Sequence, residues 1–67
     1  MKEYDTVLIY NEEDGWCSMF AKHSSGFGRN FQQLMNKAMN DYANSGWEVI
    51  NVIGDYRHVC IIFERNV

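Results

Sequence analysis

Only residues 31–44 repeat their apolar side chains at helical spacing, and segments that alternate like β-strands flank them on both sides. One helix can cover one face of a sheet. The strand segments carry apolar residues at odd and at even positions, so a sheet built from them has two faces to bury. That mismatch constrains this chain more than any other feature.

The helix is bounded at both ends. Asn30 is a good N-cap, and Gln33 stands three residues on, the spacing of a capping box. Phe31, Leu34, Met35, Ala38, Met39 and Tyr42 form the apolar stripe. Gln32, Asn36, Lys37, Asn40, Asp41 and Asn44 form the polar side. Asn44-Ser45-Gly46 ends the helix, with Gly46 as the left-handed residue and Trp47 as the hydrophobic contact that follows it.

Before the helix, residues 3–10 (EYDTVLIY) alternate, with Tyr4, Thr6, Leu8 and Tyr10 on one face and Val7 and Ile9 on the other. Asn11-Glu12-Glu13-Asp14-Gly15 reads as an acidic turn. Residues 16–22 (WCSMFAK) read as the second strand of a hairpin, and residues 23–30 (HSSGFGRN) as a loop. After the helix, residues 47–53 (WEVINVI) and 58–65 (HVCIIFER) are β-branched and aromatic, joined by a tight turn at Gly54-Asp55-Tyr56-Arg57. The expected fold is therefore α+β: an antiparallel four-stranded sheet (β-β-α-β-β) with one helix packed on one face. All 67 residues form a single small domain.

A chain of this length buries only ~60% of the surface its unfolded form exposes. Domains of this size use disulfides, a metal or a partner subunit. Cys17 and Cys60 lie far apart, and Met1-Lys2-Glu3-Tyr4 leads straight into a strand pattern with no apolar run of signal-peptide or membrane-spanning length. These features read as a cytoplasmic chain with reduced thiols. His23, His58, Cys17 and Cys60 do not form the close pairs that structural zinc sites use, so no metal is expected.

A partner chain remains. The alternation places Trp47, Val49 and Ile53 on one side of the third strand, against Ile50 and Val52. It sets Val59, Ile61 and Phe63 against Cys60 and Ile62, and Trp16 and Phe20 against Cys17, Met19 and Ala21. A sheet with one wet face shows polar residues at alternate positions, and neither face here is polar throughout. Self-association through the uncovered face, most simply as a two-fold homodimer, is expected.

Ala43-Asn44-Ser45-Gly46-Trp47-Glu48-Val49-Ile50-Asn51-Val52 resembles the signature of a bacterial family known only as domain of unknown function 4177. Its members are short and open with a strand like Glu3-Tyr4-Asp5-Thr6-Val7. They carry a helix ending in Gly-Trp-Glu before an aliphatic strand, and close with an aromatic strand like Ile61-Ile62-Phe63-Glu64-Arg65. The resemblance covers the first strand and residues 31–65. This chain departs from the pattern in its longer first hairpin and loop, from Asn11 to Asn30. The resemblance implies a fold and no activity, so no catalytic residues are carried over.

The segment from Lys22 to Asn30 is the one candidate ligand site. Gly26 and Gly28 allow close backbone approach, Ser24 and Ser25 offer hydroxyls, and Lys22 and Arg29 offer charge. The helix N-terminus points unpaired N–H groups toward the same place. A phosphate or carboxylate suits such a cradle, but the spacing matches neither the dinucleotide fingerprint nor the P-loop.

The net charge of −3 argues against broad binding to nucleic acid or to anionic membrane. Trp16, Trp47, Tyr4, Tyr10, Tyr42 and Tyr56 lack the basic groove a base-stacking platform needs, and read as core and interface. Cys17 and Cys60 sit in apolar strands where thiols are inert, and no serine has a nucleophile-elbow context. The sequence thus favours a non-enzymatic, cofactor-free binding module that works as a small homo-oligomer. The alternatives are a protein that sequesters a small anionic, phosphorylated or nucleotide-like ligand near residues 22–30, and a phage or mobile-element inhibitor of a host protein.

Overall fold

The computed structural model describes residues 1–12, 15–55 and 57–67. Glu13, Asp14 and Tyr56, assigned above to turns and, for Tyr56, to the interface, lie outside them. The chain is α+β. Its strands are β1 (Lys2–Asn11), β2 (Cys17–Phe20), β3 (Ser25–Gly28), β4 (Glu48–Gly54) and β5 (His58–Asn66), with one helix, α1 (Phe31–Asn44), between β3 and β4. All pairings are antiparallel, in the order β3-β2-β1-β5-β4.

Two expectations need correction. The sheet has five strands, because residues 25–28 form β3 rather than part of a loop. Ser25-Gly26-Phe27-Gly28 has little strand propensity, and its ladder with Cys17–Phe20 creates the strand. The second strand is correspondingly shorter than 16–22, ending at Phe20.

The second correction concerns the faces of β4. A bulge between Val49 and Asn51 places Val49 and Val52 opposite Phe63 and Ile61, while Asn51 and Ile53 lie opposite Ile62 and Cys60. One extra residue in a strand reverses the alternation beyond it. Val49 and Val52 therefore share the helix side, and Ile53 takes the other face. Trp47 precedes the strand and is buried with the core.

The helix carries the chain from one sheet edge to the other and packs on one face only. Leu34, Ala38 and Tyr42 are buried against Val7, Ile9, Cys17, Met19, Ile61 and Phe63. Tyr42 stacks on Phe63 with ring centres 4.2 Å apart. The Gln33 N–H donates to Asn30 Oδ1 at 2.9 Å, forming the expected N-cap.

At the other end the Trp47 N–H donates to the Tyr42 carbonyl and the Gly46 N–H to the Ala43 carbonyl, both at 3.0 Å. Those two bonds make a Schellman motif, and the Trp47 and Tyr42 rings, 5.7 Å apart, supply its hydrophobic contact. Gly46 has φ +86°, the left-handed conformation that the motif requires. The helix is too short and too polar to cross a membrane.

Candidate interaction surface

The ladder registers show which side chains the helix leaves uncovered. Residues directly opposite one another in a ladder share a face. Phe20 lies opposite Leu8, Leu8 opposite Cys60, and Cys60 opposite Ile53, so these four form one row across β2, β1, β5 and β4. On one side of this row Thr6, Ile62 and Asn51 form a second, and Tyr4, Glu64 and Glu48 a third. On its other side stand Phe27, Ser18, Tyr10 and His58. The opposite face holds Val7, Ile9, Cys17, Met19, Ile61 and Phe63 under the helix.

The uncovered rows mix polar residues with large apolar side chains that are open to solvent. Phe27 is 75% exposed, Phe20 74%, Tyr4 60% and Ile53 55%. Where β2 stops at Phe20, a cleft of about 470 Å³ continues the face, lined by Asp5, Thr6, Leu8, Phe20, Ala21 and Lys22. Monomers of this size rarely expose a contiguous apolar patch without a use for it. Asp5 and Lys22 line that cleft, and Lys2 pairs with Glu64 at 2.9 Å in the row of Tyr4. That bond, more than the general attraction of the carboxylate, raises the Lys2 pKa.

The structure divides the residues of the 22–30 segment between different surroundings. Ser24 is buried and donates to Asp41 Oδ2 at 2.6 Å, and the same oxygen accepts Lys37 at 2.7 Å. Hydrogen bonds from Lys37 and then Ser24 hold Asp41 below the usual carboxylate range. Gly26 lies next to the Lys37 stem, and Gly28 next to Gln33 and Leu34. Ser25 is paired with Phe20 at the start of β3. Arg29 lies over the Trp16 ring, 5.4 Å from its centre, and Trp16 meets Phe27 edge-on at 5.9 Å. Lys22 lines the cleft beside Phe20. Ser24 and Arg29 thus stand at opposite ends of β3 with different partners, one with Asp41 and the other with Trp16.

Two features here were invisible in the sequence. Asp5 accepts the Tyr42 hydroxyl on one oxygen at 2.6 Å and the Thr6 N–H on the other at 2.9 Å. Burial first, and the Asp5 bond second, push Tyr42 up to about 12. The phenol therefore keeps its proton at neutral pH and acts as a donor. Asn51 repeats half of this arrangement, its Oδ1 accepting the Val52 N–H at 2.8 Å. An Asx residue before an outward N–H is the signal that could have been read, but its meaning depends on which strands lie at an edge.

The two thiols are free and lie on opposite faces, Cys17 with the buried core and Cys60 in the uncovered row. Among the described residues, no three metal-ligating side chains of His, Cys, Asp or Glu cluster together. No family model, curated protein or solved structure matches this chain.

Proposed function

We propose that this chain is a non-enzymatic interaction module that works as a small homo-oligomer, with the helix-free face of the sheet as its working surface. The row Phe20, Leu8, Cys60 and Ile53, running across four strands, carries the proposal. Aromatic and aliphatic side chains held in register on an ordered ladder offer contact area on a backbone that has no further ordering to undergo on binding. The titratable groups support a binding role over catalysis. Tyr42 and Asp5 tie the helix to β1, Asp41 is occupied by Lys37 and Ser24, and Asp55 holds the turn before β5.

Light scattering at micromolar concentration tests the proposal. The expected mass is at least twice 7.9 kDa. A mass of one chain across a wide concentration range overturns it.

A further inference from the structure

A chain with an apolar face and free sheet edges can associate through either, and here the edges are blunted. The Asn11 N–H donates to the Arg57 carbonyl on the β5 side, and the Glu12 N–H to the Trp16 carbonyl on the β2 side. Backbone groups alternate sides along a strand. The N–H groups of Tyr10, Leu8, Thr6 and Tyr4 therefore point toward β2. Beside β1, β2 ends at Phe20 opposite Leu8, so the Thr6 N–H emerges at a free edge. There it bonds to its own neighbour, Asp5 Oδ1.

The same happens across the sheet. The Asp55 N–H donates to the His58 carbonyl, which points Asp55 and Ile53 toward β5 and Val52 outward. The Val52 N–H is taken by Asn51 Oδ1, and the bulge between Val49 and Asn51 breaks the edge further. Internal capping of outward donors, bulges and short edge strands are ways proteins prevent edge-to-edge pairing. The third edge, β3, is four residues long. A β1-to-β1 pairing centred on Tyr4 would also set Glu3 opposite Asp5 of the other copy, which like charges oppose.

The face carries Lys2, Glu48 and Glu64 beside Tyr4, and the apolar side chains on the rest of it offer the area. With roughly 200 Å² for each aromatic side chain, the exposed parts of Tyr4, Phe20 and Phe27 amount to about 400 Å² per copy. Leu8 and Ile53 add to that. Two copies together exceed the ~1,000 Å² that a specific interface must clear and approach the standard ~1,200–2,000 Å².

We infer that the occupant of the helix-free face is a second copy of this chain, packed sheet to sheet with both helices outside and both sets of edges unpaired. The inference rests on the homo-oligomeric reading above and specifies its partner and mode. Two such sheets pack ~10 Å apart with their side chains interdigitated. Phe20 and Ile53, exposed in the single chain, become the buried anchors.

Sedimentation velocity of the full chain, beside Phe20→Lys and Ile53→Lys, tests this. The wild type should sediment as two copies. Each variant should keep the wild-type circular dichroism spectrum and weaken the dimer at least tenfold. A wild type that stays monomeric overturns the homo-oligomeric reading together with this inference. A dimer that both folded variants preserve, or a larger assembly, overturns the face-to-face mode alone.

Discussion

The Tyr42 hydroxyl donates a 2.6 Å hydrogen bond to Asp5 Oδ2, tying the last turn of the helix to the first strand. Asp5 spends its other oxygen on the Thr6 N–H at the sheet edge. A single carboxylate thus anchors the covered face and blunts a free edge. Tyr42→Phe should destabilise the fold by ~1.5–3 kcal/mol, the usual range for a bond to a charged group, as read by urea unfolding at neutral pH.

Burial of the Tyr42 phenol, and after it the Asp5 bond, sets an alkaline response. Tyr42 is raised from 10.0 to about 12 in the folded chain. A folded value above the unfolded one gives stability that is complete below pH 10 and lost as pH rises toward 12. Wild type should lose about 2–3 kcal/mol more than Tyr42→Phe over that interval. Parallel unfolding curves for the two proteins from neutral to alkaline pH would contradict the raised Tyr42 value.

Two glycines should fail for different reasons. Gly46 stands at φ +86° with open space around it, so Gly46→Ala should cost ~1 kcal/mol through backbone strain alone. At Gly54 a Cβ would meet the His58 carbonyl oxygen and lie 2.8 Å from Val59 Cα. Gly54→Ala must move the hairpin, and should cost more, ~2–3 kcal/mol. Asn44→Ala, at an exposed position of the last turn, should change little. Thermal melts of the three variants check the order.

What the sequence revealed was local. Asn30, Gln33 and Gly46 bound the helix because caps act within a few residues. The faces of β1 and β5 follow from strict alternation. β3 escaped because Gly26 and Gly28 have no local preference for a strand and acquire one only from the β2 ladder. The bulge escaped because Val49-Ile50-Asn51-Val52-Ile53 is apolar at nearly every position, so the pattern does not show where the alternation slips. At the candidate site, Ser24 and Asp41 are seventeen residues apart in the chain, and only the packing of α1 on β3 brings them together. The excess of apolar positions over one helix was legible, and it led to the uncovered face.

Asp55 gives an acid response of opposite sign to that of Tyr42. Its Oδ1 accepts the N–H groups of Arg57 at 2.7 Å and His58 at 3.1 Å, and these bonds hold its pKa below the ordinary 3.8. A lowered folded value gives stability that is present above the unfolded value and lost as pH falls through the folded one. Asp55→Asn keeps an oxygen acceptor without the charge. It should flatten the loss of stability below about pH 4, measured by urea unfolding at a series of acid pH values.

Native mass spectrometry of protein purified from cells tests the central claim most directly, because it counts chains and retained molecules together. The account predicts a species of twice 7.9 kDa with no added mass, persisting in the wild type and reduced to single chains in Phe20→Lys. A wild type found only as a single chain, or a single chain carrying a retained phosphorylated ligand, would contradict it.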